Sequence, residues 1–210
     1  MKILIVAATT LELDPISQSL SDTEHQLDSL VTGVGMTATA FALGRQFAQH
    51  TYDLAINVGL AGAFDSALEL GTVVQVKEDQ FSELGAESKD GFIPLDQMGI
   101  GEEIEARRNK FQFMATADLP DGTLQEVRGI TVNAVHGKEE SIREIKDRLN
   151  PQVESMEGAA FFYACEQFGI LAMQIRAISN RVEKRNKSNW KIDLALRNLA
   201  AEMHNVLKAL

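Results

Sequence analysis

Leu54–Val58 reads LAINV and runs directly into GLAGAF, Gly59–Phe64. Five residues, four of them apolar, with no polar alternation, describe a strand buried on both faces; the glycines that follow read as its end. Similar runs recur along the chain: KILIVA at Lys2–Ala7, a short one at Ser29–Thr32, TVVQV at Thr72–Val76, ITVNAV at Ile130–Val135 and LAMQIRAI at Leu171–Ile178. Helical stretches separate them, at about Leu11–Leu20, from GVGMTATA to about Gln49, at Met156–Phe168, and from Lys191 onward. In the last of these, Ile192, Ala195, Leu199, Met203, Val206 and Leu210 recur at helical spacing and predict a packing face. Buried strands alternating with helices specify an α/β fold, a mainly parallel or mixed twisted central sheet flanked by helices. From Lys77 to Arg128 the pattern weakens, punctuated by Gly85, Gly91, Gly99 and Gly101, and predicts an elaborated connection forming a site rim or subunit contact.

At 210 residues and 45% hydrophobic content the chain suits one core, so a single domain over residues 1–210 is expected. Thirty acidic against twenty basic residues give a net charge of −10, which argues against nucleic acid or an anionic membrane as partner and favours a small molecule. The apolar run Ile3–Ala8 is too short for a secretion-signal core and is followed by Glu12 and Asp14. The lone cysteine, Cys165, has no internal disulfide partner, so a cytoplasmic location is expected.

In open α/β sheets ligands gather beyond the carboxyl ends of the strands. There the sequence puts Thr9, Thr10 and Glu12 after the first strand, Gly33-Val34-Gly35 after the second, Gly59-Leu60-Ala61-Gly62 after the third and Ser179-Asn180 after the last. A carboxylate, glycine-lined backbone and an amide thus share one edge. ESMEGAA, Glu154–Ala160, adds acids at a helix mouth, where they complement the positive end of the helix dipole. GVGMTA, Gly33–Ala38, also fits a relaxed dinucleotide fingerprint and opens the alternative of a nicotinamide-dependent oxidoreductase. That motif needs an acid at the end of the next strand, and Asp53 stands at its beginning.

With Glu12, GVG, GLAG, SMEG and RAISN in this order, the chain resembles the nucleoside phosphorylase and nucleosidase superfamily over essentially its whole length. MKILIVAATTLE, TGVGMTATA and NVGLAGAF are similar to segments of methylthioadenosine/S-adenosylhomocysteine nucleosidases. The resemblance implies that Glu12 positions or deprotonates water, that Met156 and Glu157 hold ribose, and that Gly35, Gly59, Ala61 and Gly62 line the substrate. It also implies that Ser179 and Arg176 orient Asn180 and Glu12. Neither a cofactor nor a metal is implied; the partners expected are a purine nucleoside substrate and further copies of the chain in a homo-oligomer.

RAISN departs from the adenine-releasing pattern, where aspartate stands in place of Asn180. An amide donates to N7 and O6 of a 6-oxopurine but cannot protonate a leaving adenine. This departure, with LGAESKDGF (Leu84–Phe92) and SNRVEKRNKSNW (Ser179–Trp190), resembles the futalosine hydrolase branch, which releases hypoxanthine in the alternative menaquinone pathway. Arg181, Lys184, Arg185 or Lys187 would then meet the substrate's carboxylate. A nucleosidase of the methylthioadenosine type, a nucleoside phosphorylase and a non-catalytic nucleoside-binding protein are the other readings. Phosphorolysis fits less well, because AATTLE carries Glu12 and no arginine to hold an anion.

Overall fold

The computed structural model describes residues 1–19, 23–89, 91–99 and 112–210; the expected helix end at Leu20, and Gly101, lie outside them. In chain order the elements are β1 (Lys2–Ala7), α1 (Thr10–Ser19), β2 (Gln26–Val31), α2 (Met36–Phe47), β3 (Leu54–Ala63), β4 (Val73–Gln80), β5 (Gly85–Ser88) and β6 (Gly91–Pro94). They continue with β7 (Gln112–Met114), β8 (Gln125–Thr131), α3 (Glu139–Leu149), β9 (Val153–Ser155), α4 (Gly158–Phe168), β10 (Leu171–Arg181) and α5 (Ile192–Ala209).

β1 lies between β2 and β3, parallel to both, and β3 is parallel to β10. β10 then runs antiparallel to β4, β4 parallel to β8, β8 parallel to β9, and β9 antiparallel to the end of β3. The sheet is therefore mixed, and β3, β10, β4, β8 and β9 pair in a closed circuit. Side-chain alternation gives it two dry faces. Ile3, Ile5 and Ala7 pack with Leu13 and Ile16 of α1 and with Ala195, Leu199 and Met203 of α5. Leu4 and Val6 face the other way, toward Leu43 and Phe47 of α2 and Phe161, Phe162 and Cys165 of α4. Each such fully buried aliphatic or aromatic side chain contributes about 1.5–3 kcal/mol. Burial also pushes the Cys165 thiol far up from its ordinary pKa, consistent with a core residue. Among the described residues no helix is long and apolar enough to cross a membrane.

Several element ends differ from the sequence expectation. GLAG lies within β3, and Ser179-Asn180 within β10, because the two strands keep pairing from Arg176↔Gly59 to Arg181↔Ala63. Tertiary pairing outweighs the turn preference of glycine. The strand expected at Ile130–Val135 is displaced to Gln125–Thr131, where β4 offers a parallel partner. The strand expected at Ser29–Thr32 begins at Gln26, on the sheet edge beside β1. α4 starts at Gly158, leaving Glu157 as its N-cap residue and Met156 outside the helix. Within the elaborated connection, β5 and β6 form a small antiparallel pair and β7 adds to β4.

Candidate active site

Glu12 stands in the first turn of α1, directly beyond β1, and is 9% exposed. Its Oε2 accepts from the Thr9 N–H at 3.1 Å and the Thr9 hydroxyl at 2.8 Å, while Oε1 accepts from the Leu60 N–H at 3.1 Å. The carboxylate is thereby aimed across β3, over Gly59. A Cβ at Gly59 would lie 2.5 Å from Arg176 Nη1 and 2.7 Å from Glu12 Oε1, so only glycine lets the two groups close over the strand.

Glu157 is 6% exposed and makes no side-chain bond to its own helix. Instead its Oε1 accepts the Gly35 N–H at 3.0 Å, and its Oε2 lies 3.9 Å from Arg176 Nη1. Gly35 holds φ 95°, ψ 160° as the N-cap of α2, a conformation that a side chain would strain. Glu157 thus keeps its place at the mouth of its helix while its carboxylate is held by the glycine turn 122 residues away in the chain. Arg176, expected to orient Glu12, has its hydrogen bonds elsewhere: Nε donates to Gln174 Oε1 at 2.9 Å and Nη2 to Asn57 Oδ1.

Behind Arg176 runs a buried polar chain that local sequence pattern did not single out. Gln174 Nε2 donates to Asp79 Oδ2 at 2.9 Å, Thr131 Oγ1 donates to Asp79 Oδ1 at 2.9 Å, and Thr131 Oγ1 accepts from the Ala159 N–H at 2.7 Å. Burial pushes the Asp79 carboxyl up to about 6, against the opposing pull of Gln174, Thr131 and Arg176. The one available signal was a polar residue inside an apolar run: Asn57 in LAINV and Gln174 in LAMQIRAI, each at most 1% exposed. Buried polar side chains require partners, and these find one another.

Farther along β3 lies a small cleft lined by Gly62, His136, Glu154, Asn180, Arg185 and Trp190 among others. Asn180 follows a bulge between Ile178 and Asn180 that breaks the β3–β10 register. Its Oδ1 accepts from Ser179 Oγ at 2.8 Å and its Nδ2 donates to the Arg181 carbonyl at 3.0 Å, leaving one amide hydrogen for a ligand. Ser179 Oγ also lies 3.4 Å from the Ala61 carbonyl, so Ser179 and Ala61 brace the amide. A Cβ at Gly62 would fall 3.1 Å from Asn180 Nδ2. Met156 is half-buried against the cluster of Phe64, Ile130, Val132 and Val182.

Two groups of side chains therefore share the carboxyl edge. Glu12, Glu157, Arg176, Gly35 and Gly59 form one, and Gly62, Ser179 and Asn180 the other. Leu60 and Ala61 separate Gly59 from Gly62, so the two glycines stand three strand steps, about 10 Å, apart. Of the basic residues after Asn180, Arg181 is committed to the carbonyls of Asp65 (2.7 Å) and Ser66 (3.2 Å). Arg185 lines the cleft and lies 5.6 Å over the Trp190 ring, whereas Lys184 and Lys187 line other grooves. Asp53 accepts the Lys2 N–H at 2.6 Å at the opposite edge of the sheet, which removes the ribose-holding acid a dinucleotide fingerprint needs. Among the described residues no three His, Cys, Asp or Glu side chains group as a metal site.

The sequence profile of the Phosphorylase superfamily matches residues 2–210. A futalosine hydrolase of Thermus thermophilus is 33% identical over 85% of this chain and 80% of its own length. One of Acidothermus cellulolyticus is 32% identical over 95% and 87%, respectively. Among solved structures, a 5′-methylthioadenosine/S-adenosylhomocysteine nucleosidase of Colwellia psychrerythraea in complex with adenine superposes with TM-score 0.80 at 22% identity, covering 100% of this chain and 96% of that one. A Helicobacter pylori nucleosidase variant with 5′-methylthioadenosine in its active site gives 0.82 at 15% identity, over 100% and 99%. At these identities the superpositions establish the fold, and the sequence matches establish kinship: the chain belongs to the phosphorylase superfamily and, within it, to the futalosine hydrolase family.

Proposed function

We propose that the protein is an N-ribosyl hydrolase that cleaves futalosine to hypoxanthine and dehypoxanthine futalosine, a step of the alternative menaquinone pathway, within one nucleoside phosphorylase-like domain over residues 1–210. The observation that carries this reading is the pairing of two buried carboxylates, Glu12 and Glu157, at one end of the edge with the braced amide of Asn180 at the other.

Cleavage of a ribosyl C–N bond spreads positive charge over the sugar, as in glycoside hydrolysis. Glu157, fixed by Gly35 N–H and Arg176, supplies opposing charge and accepts from ribose hydroxyls, with Met156 against the sugar. Glu12, immobilised by Thr9 and Leu60, orients a water and takes its proton as the water oxygen bonds to the anomeric carbon. The electron pair of the broken bond leaves on the purine, where Asn180 donates to the 6-oxopurine edge; the base takes up a proton from solvent, and Glu12 returns its own to solvent to regenerate the carboxylate. No cofactor takes part. A buried carboxylate beside the first turn repels phosphate, which disfavours phosphorolysis.

Leu11, Val34 and Phe41 are 59%, 57% and 73% exposed beside the site in sequence and support a homo-oligomer as the working form. A reducing cytoplasm suits the buried free thiol of Cys165. The test is a nucleoside panel with and without phosphate, reading free base and sugar. Futalosine should yield hypoxanthine and free sugar without phosphate. Strict phosphate dependence would refute the hydrolase reading, and preferential adenine release would transfer the protein to the methylthioadenosine type.

A further inference from the structure

The motif that carries Glu157 also carries Glu154, which the chemistry above leaves unused. Glu154 lies on β9 opposite Gly62, 3% exposed. Its Oε1 accepts the His136 N–H at 3.1 Å, and its Oε2 lies 2.6 Å from His136 Nδ1. A carboxylate accepts only, so Nδ1 carries the hydrogen of this bond. In the neutral ring Nε2 is then a lone-pair acceptor. Among the described residues Nε2 has no partner, while the ring, set edge-on to Phe64 at 5.9 Å, lines the same cleft as Asn180. The cleft thus holds an amide donor and an imidazole acceptor on neighbouring walls.

We propose that His136, with Glu154 as its positioning residue, is a specificity-determining pair for the base. Nε2 accepts the N1–H of a 6-oxopurine while the free amide hydrogen of Asn180 is given to O6. A 6-aminopurine reverses both groups, presenting a lone pair at N1 and hydrogens at the exocyclic nitrogen, and so meets acceptor with acceptor and donor with donor. The inference rests on the purine-nucleoside reading of the site and adds the residue that distinguishes a lactam base from an amino base. Asn180 alone does not make that distinction fully, because its one free amide hydrogen reads only one of the two base atoms that differ.

The experiment measures binding of hypoxanthine, 1-methylhypoxanthine and adenine by calorimetry to the wild type and to His136→Phe, with futalosine hydrolysis followed in parallel. The wild type should bind hypoxanthine at least about tenfold more tightly than either other base, and His136→Phe should weaken hypoxanthine roughly tenfold to a hundredfold and bring the ratios toward one. Since the single change leaves Glu154 buried without its ring partner, the double variant His136→Phe/Glu154→Leu, which removes both polar groups together, provides the same readout in an intact fold. Glu154→Gln, whose amide oxygen still accepts from Nδ1, should retain the base preference that Glu154→Leu loses. Equal binding of hypoxanthine and 1-methylhypoxanthine by the wild type, or unchanged ratios in the double variant, would overturn the inference even with futalosine hydrolysed. Base discrimination that depends on His136 in a protein that releases nothing from futalosine would uphold it and remove the hydrolase reading instead.

Discussion

Asp79→Asn tests the buried chain behind Arg176. The Asp79 carboxyl, pushed by burial from the ordinary aspartate range up to about 6, disfavours its own ionised form in the folded protein. The folded state therefore binds the proton more tightly than the unfolded chain does. The stability associated with protonation is fully present below about pH 4 and is lost as pH rises through about 6. A carboxyl raised this far contributes on the order of a few kcal/mol, of which on the order of 1 kcal/mol is lost between pH 5 and 8. Asparagine does not titrate, so the stability difference between Asp79→Asn and wild type should shift in the variant's favour by on the order of 1 kcal/mol from pH 5 to pH 8. Urea denaturation at several pH values measures it, provided the slopes agree. Asparagine also brings hydrogens where Gln174 Nε2 and Thr131 Oγ1 both donate, so Gln174 must turn and release Arg176 Nε. Turnover should accordingly fall at every pH, even where the variant is the more stable protein. A stability difference that is flat across pH 5–8 would refute the account of Asp79 as a buried, titrating anchor.

Three further substitutions probe the edge itself. Glu157→Gln should keep the fold yet lower turnover at least about a hundredfold, the scale of a lost electrostatic stabiliser; circular dichroism and steady-state kinetics check it, and near-normal turnover returns Glu157 to a structural role. Gly59→Ala drives a methyl between Arg176 Nη1 and Glu12 Oε1, at 2.5 and 2.7 Å, and should cost about 1–3 kcal/mol of stability together with most activity, as thermal unfolding and base release will report. Asn180→Asp should erode the preference for 6-oxopurine over 6-aminopurine nucleosides, because a protonated carboxyl can donate to N7 and accept from an amine; an unchanged ratio of catalytic efficiencies would remove Asn180 from base selection.

Much of the edge was legible in sequence. The strands announce themselves by apolar runs, and the rule that ligands collect at their carboxyl ends gathers Glu12, Gly35, Gly59 and Asn180 from the sequence alone. Boundaries were less legible wherever pairing overruled local preference. GLAG reads as a turn until β10 supplies hydrogen bonds on its flank, and Ile130–Val135 reads as a strand until β4 shifts the register toward Gln125.

What the sequence by itself determined is the α/β class, the main buried strands and the side of the sheet that carries the chemistry, since these follow from periodicity and from residue types close together in the chain; the helix Glu139–Leu149 and the short strand Val153–Ser155 carried no such signal. Tertiary structure alone decided which groups meet. Glu157 finds Gly35 across 122 residues, Asp79 finds Gln174 across 95, and Glu154 takes His136 from another strand connection. None of these partnerships leaves a local pattern. Each arises because a polar side chain carried into a dry sheet must satisfy its hydrogen bonds with whatever the fold brings beside it, and only the packed strands determine what that is.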